Sequence, residues 1–92
     1  MSYERPFFAL SARQANAVLS GQVGGIALRV YMALFDAARW GPHGNVSVRT
    51  LGGLCKATGE RPSAVETAIS LLVGVGWVER AGDGRYRVLT GD

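Results

Sequence analysis

The 92-residue sequence has one cysteine, one histidine, one lysine and three prolines. Cys55 alone excludes an intrachain disulfide and a cysteine-based zinc site. Apolar runs are short as well. The longest, Leu71 to Val78, is interrupted by Gly74 and Gly76 and is too short for a membrane span. The start, Met1-Ser2-Tyr3-Glu4-Arg5-Pro6, has no charged region leading into an apolar run, so no secretory signal is expected and the cytoplasm is the default location. Paired acids, a metal-ligand cluster and an activated nucleophile are all missing, which makes an enzyme the least expected class, with no metal and no cofactor. A chain of this length builds one modest core, not a cleft between two lobes.

What is present is ordinary for a folded domain: 48% hydrophobic and 18% charged residues. Ten basic residues against seven acidic ones give a net charge of +3, and every base except Lys56 is arginine. Arginine neutralises phosphates and also forks onto guanine edges. A surplus of three is common among soluble proteins, so charge leaves nucleic acid open without selecting it.

Periodicity orders the chain. After an aromatic-rich lead-in holding Tyr3, Pro6, Phe7, Phe8 and Leu10, Ser11 is placed to cap a short helix over residues 12–19. Three glycines between Ser20 and Gly25 break it. Residues 26–40 read as a long helix, with Ile26, Val30, Ala33, Leu34 and Ala37 as its expected core face. A second apolar stripe, Leu28, Tyr31 and Phe35, lies beside that face. Gly41-Pro42-His43-Gly44 stops the helix, and residues 45–48 suit a brief strand. Ser47 or Thr50 starts a helix running to about Ala57, with Leu51 and Leu54 as anchors. Past the Thr58-Gly59-Glu60 break, the next helix opens either with Pro62 in its first turn or with a capping box from Ser63 to Glu66. Its buried stripe is Val65, Ala68, Ile69 and Leu72. Residues 77–80 and 85–89 read as two strands joined by Ala81-Gly82-Asp83-Gly84, a hairpin connection.

The run Leu54-Cys55-Lys56-Ala57-Thr58-Gly59, followed by Val65 and Ile69, has the small residue and the turn glycine that two steeply crossing helices need. With the closing stretch Leu72 to Arg80 and Gly84-Arg85-Tyr86, residues 44–90 resemble a winged helix-turn-helix domain of bacterial, phage or plasmid regulators. The implied fold is α+β and mainly helical: helix, short strand, helix, helix and a two-stranded wing over residues 25–92, preceded by an N-terminal helical extension over 1–24. The resemblance implies a sequence-specific duplex-DNA-binding protein that regulates transcription. Residues 51–57 become the supporting helix, and residues 62–73 the recognition helix in the major groove. Arg61 would contact guanine or phosphate, and Ser63 and Thr67 bases or phosphate, with Ser70 a turn further on. Arg80, Arg85 and Arg87 of the wing would meet the DNA backbone or minor groove, and Arg49 and Lys56 would add phosphate contacts. A second reading, a winged-helix protein-interaction module such as a phage or plasmid adaptor, draws on the low net charge, on Glu60 and on Glu66. A replication or partition DNA-binding role is a variant of the first reading.

Several residues have plainer roles. Cys55 reads as a small buried helix residue, His43 as a loop histidine, and Trp77 and Tyr86 as edges of the core. Gly21 to Gly25 and Gly82-Asp83-Gly84 lack the lysine of a phosphate loop and are turns. The extra stripe of Leu28, Tyr31 and Phe35, with Phe7 and Phe8, is more apolar surface than a small domain readily hides. It predicts either an N-terminal segment folded back over the helix or, slightly favoured, a homodimer interface.

Overall fold

A computed structural model describes residues 10–40, 46–47, 50–82 and 84–89. The chain is α+β and mainly helical. Its elements run α1 (Ala12–Leu19), α2 (Gly25–Trp40), β1 (Val46–Ser47), α3 (Leu51–Thr58), α4 (Pro62–Gly74), β2 (Val78–Arg80) and β3 (Tyr86–Val88). The strands form one antiparallel sheet in the order β1-β3-β2. The last strand in sequence therefore lies in the middle, with Arg87 opposite Val46 on one side and Glu79 on the other.

Local chemistry marks the starts of α1, α3 and α4. Ser11 caps α1: its hydroxyl accepts from the Gln14 backbone N–H, and the Gln14 side-chain Oε1 accepts in turn from the Ser11 backbone N–H. Thr50, not Ser47, caps α3 by accepting from the Gly53 backbone N–H at 3.0 Å. Of the two starts open for α4, the chain takes the proline. Arg61 is the capping residue with no side-chain hydrogen bond to the helix, and Pro62 sits in the first turn, where its missing N–H costs nothing. Between α3 and α4, Gly59 adopts φ +73°, a left-handed conformation, and its N–H donates to the Cys55 carbonyl.

The core lies between α2, α3 and α4 and against the sheet. Val65, Ala68, Ile69 and Leu72 of α4 are all buried, together with Leu54 of α3 and Trp77, Val78 and Val88. Cys55 and Tyr86 are half-buried and pack against this cluster.

On α2 the buried face differs from the expected one. Ala27, Val30, Tyr31, Leu34 and Phe35 point inward, whereas Ile26 is 40% exposed and Ala33 and Ala37 are half-buried. The helix carries two adjacent apolar stripes, and the buried face straddles them: Val30 and Leu34 come from the expected stripe, Tyr31 and Phe35 from the second. Burial free energy scales with apolar area, and the two aromatic rings contribute far more than two alanines. Two of the residues expected at a dimer interface, Tyr31 and Phe35, are therefore part of this chain's own core. Tyr31 and Phe35 are 1% and 9% exposed within a single chain, and Leu28 is half-buried against the same core. Phe7 and Phe8 lie outside the described residues.

The Tyr31 ring meets Trp77 edge-on at 5.1 Å and Phe35 at 6.2 Å. Its hydroxyl donates to the Leu89 carbonyl at 2.8 Å and accepts from Gln14 Nε2 at 3.2 Å. Gln14 is itself buried, so one polar chain ties α1, α2 and the end of the sheet together. Burial pushes the Tyr31 phenol above its ordinary value of about 10, and the Gln14 hydrogen bond offsets part of that rise.

Candidate nucleic-acid interface

The side of α4 away from the core is exposed through Ser63, Glu66, Thr67 and Ser70, while Ala64 is half-buried. Those residues fall between the buried positions 65, 68, 69 and 72, as helical spacing requires. Arg61 stands exposed at the helix start. Two grooves flank the helix. Toward the start of α2, a groove of about 620 Å³ is lined by Arg61, Ser63, Ala64, Thr67 and Leu71 of the α4 segment and by residues 24–27. Toward α3 and the hairpin, a smaller groove of about 130 Å³ brings Glu66 and Ser70 together with Arg80, Leu51 and Tyr86.

The expected contact residues are thereby divided. Arg61, Ser63 and Thr67 share the first groove, and Ser70 and Arg80 share the second. Lys56 is exposed in the last turn of α3 and lines neither. Arg85 is exposed in the β2–β3 connection, where its N–H donates to the Gly82 carbonyl and its carbonyl accepts from Ala81. Arg87 is exposed on β3 and pairs across the strands with Glu79 at 3.3 Å. The alternation from Arg85 to Val88 runs exposed, half-buried, exposed, buried, so both arginines project away from the core. Arg49 lies outside the described residues.

Comparison with protein-family models, with curated proteins and with solved structures finds no match. The chemistry of the surface has to carry the functional argument by itself.

That surface is cationic at its edges rather than along α4. Arg61 and Glu66 are the charged residues on the exposed side of the helix, Arg80 of the hairpin shares a groove with Glu66 and Ser70, and Lys56 and Arg85 are exposed on α3 and the β2–β3 connection. Glu60, beside the start of α4, has a structural role: it pairs with Arg29 of α2 and holds the α3–α4 turn against that helix. Sequence reading missed this pair, because nothing in local spacing links positions 29 and 60. It also missed the exposure of Ile26 and Leu71, which face the larger groove. Gln14 could have been found, since Ser11 followed three residues later by glutamine is a capping-box pattern. Among the described residues there is no group of acids, histidines and cysteine arranged to hold a metal ion, and no helix long and apolar enough to cross a membrane.

Proposed function

We propose that this chain is a winged helix-turn-helix protein that binds duplex DNA in a sequence-specific manner and acts in transcription regulation. The observation that carries the reading is the element order combined with the sheet order. A helix, a short strand, two helices and a hairpin follow one another, and the first strand pairs with the last. In that arrangement α4 serves as the recognition helix, with Arg61, Ser63 and Thr67 toward base edges and phosphates. Lys56, Arg80 and Arg85 contact the phosphate backbone from either side. Arg87 contributes less, because Glu79 already neutralises it. Two such chains on successive groove faces would form the expected homodimer, through a surface other than Tyr31 and Phe35, which the core holds.

The test is a titration of the full chain with random-sequence duplex DNA by fluorescence anisotropy, at low and moderate salt. Binding of roughly 1–100 μM at physiological salt that weakens steeply as salt rises is the expected result. Arg85→Ala should weaken all sequences similarly and flatten the log–log salt slope by about one unit. Arg61→Ala should also change sequence preference once a preferred site has been selected. Absence of binding at low salt overturns the reading.

A further inference from the structure

The groove between the start of α2 and α4 is poorly suited to DNA along most of its length. Single apolar side chains on a surface need no explanation, but Ile26 and Leu71 come from different helices, are 40% and 36% exposed, and line the same groove. Ala64, one turn from Ala68 on α4, adds small apolar surface between them. Arg61 is the charged residue in the lining, no carboxylate among the described residues lines it, and no described residue forms an ion pair with it. A phosphate backbone would satisfy Arg61 but leave Ile26 and Leu71 facing water.

We propose that this groove docks a short amphipathic helix of a protein partner, with apolar anchors over Ile26, Ala64 and Leu71 and a carboxylate against Arg61. An apolar patch with an arginine beside it is the composition that protein interfaces favour. A helix laid in such a groove presents anchors at positions i, i+3 or i+4, and i+7. Charge complementarity selects an acidic segment over a basic one. Arg61, Ser63 and Thr67 belong both to this groove and to the proposed DNA face. Insofar as the DNA reading holds, the partner and DNA therefore exclude one another, and the acidic helix acts as an antagonist of DNA binding.

The probe is a synthetic helical peptide with leucines at i, i+3, i+4 and i+7 and glutamates elsewhere. Two controls accompany it: the same peptide with lysine for glutamate, and a scrambled glutamate peptide. Amide chemical shifts of the ¹⁵N-labelled full chain are followed during titration. The expected result is that residues 25–27, 61, 64, 67 and 71 shift with the leucine–glutamate peptide and much less with either control. Leu71→Ser should weaken that peptide by about tenfold or more, from the apolar area lost, and Leu71→Met should restore it. Arg61→Glu should reverse the preference between the glutamate and lysine peptides. Both side chains are exposed, and thermal melts verify that the variants stay folded.

Shifts elsewhere on the chain, or variants that bind like the wild type, overturn the proposal. So do groove shifts that grow with protein concentration alone, which would make a second copy of the chain the occupant. Duplex DNA that shifts these residues when the peptide does not overturns it while leaving the DNA reading intact. Peptide binding by a chain that fails to bind DNA supports the groove and removes the DNA reading.

Discussion

Two of the polar links that attach α2 to other elements differ in burial. At Tyr31 a hydroxyl inside the protein bridges Gln14 of α1 and the Leu89 carbonyl beyond β3. At Arg29 a guanidinium reaches Glu60 in the α3–α4 turn, with both side chains still in contact with water. Formal charge suggests that the second link is the stronger. Environment reverses that ranking: an exposed ion pair exchanges good hydration for modest attraction, whereas a buried donor that loses its acceptor has no water to turn to. The first link therefore fixes how the layers sit. The second mainly steadies the turn in front of α4.

Substitutions at five positions would break or sharpen that comparison. Apolar attachment of α2 sets the scale. Leu34 is fully buried, and Leu34→Ala should cost about 2–5 kcal/mol in chemical denaturation, the largest effect of the set. Next, Tyr31→Phe should cost about 1–3 kcal/mol, because it strands the Gln14 amide inside the protein. Tyr31 also gives this link a pH signature. Its folded pKa is raised above the unfolded value, so its contribution is fully present below about pH 10 and is lost as the pH rises through the folded pKa. Denaturation midpoints measured across that range should fall more steeply for the wild type than for Tyr31→Phe. Equal slopes would remove the phenol from the account.

At the turn, Gly59→Ala forces a side chain into left-handed backbone and should lower stability by roughly 1–2 kcal/mol, read as a drop in Tm of several degrees. The smallest change is expected from Glu60→Gln, below about 1 kcal/mol and smaller still in high salt. A double-mutant cycle with Arg29→Gln isolates the pair. A coupling as large as the Tyr31→Phe loss would invert the ranking of the two links.

Sequence periodicity was most informative where one apolar stripe stood alone. Val65, Ala68, Ile69 and Leu72 are the buried residues of α4 by spacing and by structure, and α1 spans the residues that its cap and the following glycines delimit. It was least informative on α2, where two stripes lie side by side and spacing cannot rank them. There Ile26 was expected inside and is exposed, while Tyr31 and Phe35 were expected at an interface and are buried. The expected contact residues on α4 do share its exposed side, but their division between two grooves depends on the neighbouring start of α2 and on the hairpin.

Local chemistry therefore settled what the chain could decide within a few residues: the Ser11 cap, the left-handed turn at Gly59 and the arginine-bearing strand after the hairpin, whereas Thr50 over Ser47 and Pro62 over Ser63 as helix starts were decided by the fold. The local features depend on backbone sterics and hydrogen bonds that close over three or four positions. Only the tertiary structure decided which face of α2 is core, which acid holds Arg29, and that Ile26 and Leu71 meet across one groove. Each of those outcomes relates residues 31 or 45 positions apart, or sets one apolar stripe against another. They are fixed by which arrangement buries the most surface while leaving no buried polar group unpaired.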